Sequence, residues 1–134
     1  MPLVRIDLDR SAPIERAAIV GDIVYEAMIT VANVPKDDKF QVIARHDSAE
    51  IVFPANGYLG IRYSRDLVII QITANNTRTL EQKKAFFKRT VDLLAENPGI
   101  RREDVFISLV EVGKENWSFG NGEAQYVTAA AVAK

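Results

Sequence analysis

The sequence contains no cysteine and a single histidine, His46. Without cysteine the chain can form neither disulfide bonds nor thiolate metal sites, and it has no thiol nucleophile. One imidazole is also too little for the usual transition-metal sites, which combine several histidine, cysteine or carboxylate ligands. We therefore expect no metal, and none of the chemistry considered below requires an organic cofactor.

The sequence also has little net charge and few long apolar runs. The formal net charge is −1, so the chain has no strong field that would attract nucleic acid or an anionic membrane surface. Its first residues, MPLVRIDLDR, include acidic side chains and no long apolar run, which predicts neither a signal peptide nor a membrane anchor. We expect a cytoplasmic protein that binds neither nucleic acid nor membranes.

The composition is that of an ordinary globular protein. Of the 134 residues, 48% are hydrophobic and 26% are charged, which is enough apolar material for a packed core. A chain of this length corresponds to about one domain. We therefore treat residues 1–134 as a single domain.

The first half of the chain has the pattern strand, helix, strand. Alternating apolar residues predict a strand at residues 2–8. Ser11 is a candidate N-cap ahead of Pro13, and apolar residues at helical spacing continue to about Val31. A second strand is predicted at residues 40–44.

The second half follows the same plan. Residues 67–73 form a continuous apolar run, which is typical of a strand buried on both faces. Thr77 or Thr79 then caps a helix that is predicted to extend to about Asn97, where Pro-Gly follows. A closing strand is predicted at residues 104–110.

A shift of 66 residues aligns the two halves, which span about 2–45 and 67–111. Caps, turns and strand positions all keep this one offset, which indicates internal duplication. The aligned pairs include Ile6 with Ile72, Ile14 with Leu80, Glu15 with Glu81, Asp38 with Asp104, and Phe40 with Phe106.

Each half has a crossover helix long enough to join two parallel strands. We therefore predict an α/β (α+β) fold in which two tandem β-α-β units form one sheet with both helices on one face. The strands are too apolar for the opposite face to be left in water. Oligomerisation is the expected way to cover it.

A duplicated β-α-β chain that begins Met-Pro resembles the tautomerase superfamily, and most closely its malonate semialdehyde decarboxylase branch. The resemblance implies the tautomerase (MIF-like) fold, a homotrimer, no cofactor, and an active site around the terminal proline. It rests on blocks that span nearly the whole chain: MPLV at 1–4, VPKDDKFQV at 34–42, TRTLEQKK at 77–84, GIRREDV at 99–105 and ENWSFG at 115–120.

Pro2 is the central candidate for catalysis. Proline has a small side chain, so we expect Met1 to be removed, which leaves a secondary amine. An α-amino group has a reference pKa of about 7.7–8.0, close to working pH, where general acid or base catalysis is efficient. Burial or a neighbouring cation would lower this pKa and favour a base, whereas a nearby carboxylate would raise it and favour an acid.

The resemblance assigns two further catalytic residues. Asp38 would be the acid/base partner that activates water or hydrogen-bonds the proline nitrogen, with the adjacent Asp37 as the alternative. Arg78 would bind a substrate carboxylate. A guanidinium at a strand-to-helix turn suits this role, because the helix amino terminus adds N–H groups for the same anion.

Three more residues are expected to contact the substrate. By resemblance, Trp117 and Phe119 form an apolar wall, which would exclude water and strengthen charge interactions inside the pocket. The alternative, compatible with the first, is that Trp117 anchors the carboxy-terminal segment to the core or to a neighbouring chain. The decarboxylases carry a second arginine two residues before the first, and here that position is Asn76, which can donate only a neutral hydrogen bond. Arg62 and Arg65 are an alternative source of the missing charge.

These residues predict an enzyme that uses an amino-terminal proline as acid or base on a small oxo acid. Keto–enol tautomerisation would make it an isomerase, and decarboxylation or hydration of the same substrate class would make it a lyase. The missing arginine supports an alternative, which is a non-catalytic trimeric protein that binds small carboxylates.

Overall fold

Two β-α-β units follow one another along the chain. The structure is a computed structural model that describes residues 2–127, so Met1 and residues 128–134 lie outside it. The main elements are β1 (Leu3–Asp9), α1 (Ile14–Val31), β2 (Phe40–His46), β3 (Val68–Asn75), α2 (Leu80–Glu96) and β4 (Val105–Val112).

All predicted strands and helices are present, and the differences lie at their ends. Thr79, not Thr77, caps α2: its side chain accepts from the Gln82 N–H while the Gln82 side chain accepts from the Thr79 N–H. Ser11 does not cap α1, so this prediction was wrong. Its backbone N–H instead donates to the Asp9 carboxylate at 2.9 Å, which holds the turn after β1.

The four strands form one sheet in the order β2-β1-β3-β4. Within each unit the strands are parallel, and the units meet through the antiparallel pair β1 and β3. The helices start at Ile14 and Leu80, which keeps the offset of the proposed repeat. The internal duplication itself stays a prediction.

Both helices pack on the same face of the sheet, as predicted. On this face Val4, Ile6, Ile70 and Ile72 are at most 2% exposed. They form one core with apolar residues of the two helices, among them Val20, Val24, Phe86 and Leu94. Within residues 2–127, neither helix is long and apolar enough to cross a membrane.

The opposite face of the sheet carries exposed apolar side chains on its edge strands, including Phe40 at 51% and Phe106 at 44% exposure. Its centre is more polar than we expected. Asp7 there accepts from Arg5 at 3.3 Å and contacts the His46 ring nitrogen Nε2 at 2.7 Å.

This topology brings four chain segments to one end of the sheet. Because β2 is parallel to β1 and β3 is antiparallel to it, Leu3 pairs with both Phe40 and Thr73. The start of β1, the segment before β2 and the ends of β3 and β4 therefore lie together. The end of α1 and the start of α2 lie at the same end of the sheet.

Candidate active site

Pro2 lies at this end of the sheet, directly before β1, and its side chain is fully buried. It lines a small cavity of about 40 Å³ between the sheet and the two helices. Arg78 and Asn75 line the same cavity, together with Gln82, Lys83, Glu111 and the apolar residues Met28, Ala32, Val34, Ile72, Ala74, Phe86 and Leu109. The structure thus places the predicted proline and arginine in one cavity.

The Arg78 guanidinium is held by carbonyl groups of its own chain. Its Nε donates to the Ala32 carbonyl at 2.9 Å, and Nη1 donates to the Asn75 carbonyl at 3.3 Å. Among residues 2–127 no hydrogen bond uses Nη2. Arg78 can therefore offer this N–H group to a ligand without losing the bonds that orient it.

Asp38 lines a second, open concavity beside the first, together with Asp37, Phe40, Phe119 and Tyr126. Asp38 is half-buried there, whereas Asp37 is exposed. Burial raises the pKa of the Tyr126 hydroxyl, the negative charge of Asp38 adds to this, and the positive charge of Arg78 opposes it. Tyr126 thus lies in the field of both predicted charges and keeps its proton at neutral pH.

Three aromatic rings in contact with one another extend from Asn75 of the Pro2 cavity to the second concavity. The ring centroids of Trp117 and Phe119 are 5.5 Å apart and nearly parallel, and Tyr126 meets Phe119 edge-on at 5.0 Å. The indole N–H of Trp117 donates to Asn75 Oδ1 at 2.8 Å. The predicted wall residues therefore contact the Pro2 cavity through Asn75 and contact the Asp38 side through Tyr126.

Asn75, not Asn76, is the asparagine at the Pro2 cavity. Asn75 is 7% exposed, whereas Asn76 is exposed and does not line either concavity. The indole N–H can only donate, so the Asn75 oxygen must face Trp117 and its Nδ2 must point elsewhere. No hydrogen bond in the described part of the chain uses Nδ2, which leaves it as a donor for a ligand.

The arginines considered as replacements lie elsewhere. Arg65 is 4.0 Å from Asp9, the last residue of β1, whereas Pro2 precedes the first. Arg62 accepts a hydrogen bond from Arg101 through its carbonyl and is exposed. Within this chain, neither is at the Pro2 end of the sheet.

Sequence reasoning missed four residues of this region: Asn75, Tyr126, and the ion-paired Lys83 and Glu111 in the Pro2 cavity. The signal for Asn75 was present, because it adjoins the residue that was chosen. Tyr126 lies outside the sequence blocks given above, and Lys83 lies in one of them without an assigned role. Only the fold brings Lys83 to the Pro2 cavity and Tyr126 to Asp38. Within residues 2–127, no group of three or more histidine or carboxylate side chains is arranged to hold a metal ion.

Comparisons with known proteins agree with this fold. Residues 38–120 match the sequence model of a family described as tautomerase enzyme. Over 127 residues the chain is 36% identical to Probable tautomerase YusQ of Bacillus subtilis (strain 168), covering 95% of this chain and 99% of the relative.

Two solved structures are similar over nearly the whole chain. FG41 malonate semialdehyde decarboxylase, inhibited by 3-bromopropiolate, has 37% identity and a TM-score of 0.86, with 96% of each chain covered. A malonate semialdehyde decarboxylase described with decarboxylase and hydratase activities has 30% identity and a TM-score of 0.85, covering 96% of this chain and 98% of that one.

Proposed function

Because the chain belongs to the tautomerase superfamily, in its malonate semialdehyde decarboxylase-like branch, we propose that its Pro2 amine moves a proton on a small oxo acid. The observation that carries this proposal is the single cavity lined by both Pro2 and Arg78. Arg78 binds the substrate carboxylate, and this places the reacting carbon beside the proline nitrogen. No organic cofactor or metal takes part.

In the tautomerase reaction, neutral Pro2 takes a proton from a carbon atom of the substrate and then returns it to the substrate oxygen. Between these two proton transfers the substrate is an enolate, with negative charge on its oxygen. A preformed donor in a water-poor site stabilises such an oxygen effectively. Asn75 Nδ2 can donate to this oxygen, because the Trp117 indole N–H binds the amide oxygen and so fixes the orientation of the amide. The sequence had predicted a neutral hydrogen bond to the substrate from Asn76 instead.

Decarboxylation and hydration are further reactions of the same site. In decarboxylation, protonated Pro2 polarises the carbonyl, the carbon–carbon bond to the carboxylate breaks, and its electron pair forms an enolate as CO₂ leaves. In hydration, Asp38 activates a water molecule at the edge of the second concavity. Neutral Tyr126, between the charges of Asp38 and Arg78, supplies a hydroxyl donor.

We further propose that the protein acts in the cytoplasm as a homotrimer. Support comes from the outer face of the sheet, where apolar side chains remain exposed in the single chain. They are Leu3 at 39%, Phe40 at 51%, Val42 at 45%, Phe106 at 44% and Val110 at 39% exposure. A self-associating interface would remove this apolar surface from water.

An activity panel tests the proposed function. Purified full-length protein is assayed with a phenylenolpyruvate-type enol, malonate semialdehyde and an alkynoic oxo acid, following each reaction by absorbance. We expect turnover of at least the enol. Binding of small carboxylates without turnover of any of the three would instead favour the non-catalytic alternative, which the absence of an arginine at position 76 supports.

The two adjacent asparagines give a matched pair of variants. Asn75→Ala is expected to lower kcat/KM for the enol by about 30-fold, because it removes a donor at the reacting oxygen and releases Trp117. Asn76→Ala is the control and should change kcat/KM by less than about twofold, as typical for an exposed side chain. The reverse order in steady-state kinetics would restore the role to Asn76.

A further inference from the structure

Lys83 and Glu111 form an ion pair inside the Pro2 cavity. Lys83 lies in the first turn of α2 and Glu111 near the end of β4, with Lys83 Nζ 2.7 Å from Glu111 Oε1. Their side chains are 27% and 34% exposed. Both residues line the cavity together with Pro2 and Arg78.

Structural stability is a weak explanation for this pair. The amino terminus of a helix disfavours a cation, and Lys83 lies in the first turn of α2. A partly exposed ion pair adds little to stability, because solvent screens it and two long side chains must be ordered. Lys83 therefore lines the Pro2 cavity at a position where helix formation does not favour a cation.

A second cation would strengthen the binding of a carboxylate at this site. The Nε and Nη1 groups of Arg78 are committed to backbone carbonyls, which leaves Nη2 for a ligand. Where the related decarboxylases are expected to carry another arginine, this chain has the exposed Asn76. Of the residues that line the cavity, the two basic ones are Arg78 and Lys83, and the acidic one is Glu111.

We propose that Lys83 is the second carboxylate-binding residue of this site and that the substrate carboxylate displaces Glu111 from it. Glu111 then occupies, in the unliganded chain, the position at Lys83 Nζ that a ligand carboxylate takes in the cavity shared with Arg78. Its partial exposure allows the released side chain to turn into water. The inference rests on the proposed function, because it assumes that the substrate of Pro2 carries a carboxylate.

Opposite effects of two substitutions test the exchange. Trp117 is the sole tryptophan and contacts Asn75 in the cavity wall, so its fluorescence reports binding of malonate, a small unreactive probe. Lys83→Met is expected to raise the Kd for malonate about tenfold. Glu111→Gln, which removes the competing charge but keeps the shape, is expected to lower the Kd about threefold.

Two exposed residues of α2 supply matched controls. Lys84→Met and Glu96→Gln change the net charge by the same amounts on the outside of α2, and should leave the Kd within about twofold of the wild type. Circular dichroism and thermal unfolding establish that all four variants are folded. A Kd that rises in both test variants, or that changes in neither, would show that the pair only ties α2 to β4.

The outcome is separable from that of the proposed function. If the enol turns over in a Pro2-dependent way while the Kd for malonate is unchanged in the Lys83 and Glu111 variants, the inference fails and the proposed function stands. If malonate binding shows the opposite effects but no oxo acid turns over, the proposed function fails and the carboxylate site stands. If wild-type protein does not bind malonate, the inference is overturned.

Discussion

Insertion of one glycine between Met1 and Pro2 is expected to lower kcat/KM for the enol by about 10⁴-fold. The insertion keeps the proline ring in the sequence but converts its nitrogen from an amine into an amide, which is neither a base nor an acid at neutral pH. Positioned proton transfer contributes about 10²–10⁴-fold to enzymatic rates, so the upper end of this range should be lost. Steady-state kinetics on the purified protein measures the effect.

Pro2→Ala is the graded control for this experiment. Alanine is also small, so Met1 should still be removed and a primary amine should remain. The ring that restricts the proline backbone is gone, and the amine is held less firmly. We expect an intermediate loss of about a hundredfold, since misplacement of a catalytic group by about 1 Å has an effect of this size. Wild-type rates in the glycine-extended protein would rule out the Pro2 nitrogen as the catalytic group.

Arg78→Ala is expected to lower kcat/KM by about a thousandfold, mainly through a higher KM. Removal of one partner from a desolvated, hydrogen-bonded charge pair commonly costs about 2–5 kcal/mol, which spans this factor. Arg78→Lys should recover only part of the loss. Lysine keeps the charge but cannot donate to the carbonyls of Ala32 and Asn75 while also presenting a further N–H group.

Arg65→Ala is the matched control, because Arg65 is at the other end of β1, near Asp9. It removes the same charge from the chain and should leave KM within about twofold of the wild type. Equal effects of Arg65→Ala and Arg78→Ala would mean that net charge, and not a specific carboxylate contact, governs substrate binding.

The strands and helices could be predicted from sequence because the buried positions of each element are apolar and recur at the spacing of a strand or a helix. Val4, Ile6, Ile70 and Ile72 face the helices and are apolar, and the pattern repeats in both halves. The start of α1 was misread at Ser11 because a hydrogen bond to Asp9 holds Ser11 in the turn after β1. The Asp9 carboxylate binds the Ser11 N–H, and the chain enters the helix at Pro13 without a side-chain cap.

The composition of the site was less predictable, since it depends on contacts between distant segments. The resemblance supplied Pro2, Asp38 and Arg78, but it could not show that Asn75 and not its neighbour faces the cavity. That choice depends on the hydrogen bond to Trp117, which lies 42 positions further along the chain. The pairing of Lys83 with Glu111 likewise requires α2 to cross the end of β4.

Peptide mapping after inactivation with 3-bromopropiolate, a small electrophilic alkynoic acid, tests the role of the Pro2 nitrogen most directly. The full-length protein is treated until activity is lost, digested, and analysed by mass spectrometry. We predict that active protein lacks Met1 and that inactivation follows the appearance of one adduct per chain, on the Pro2 nitrogen. Fully active protein that retains Met1, or complete inactivation with an unmodified Pro2, would contradict this account.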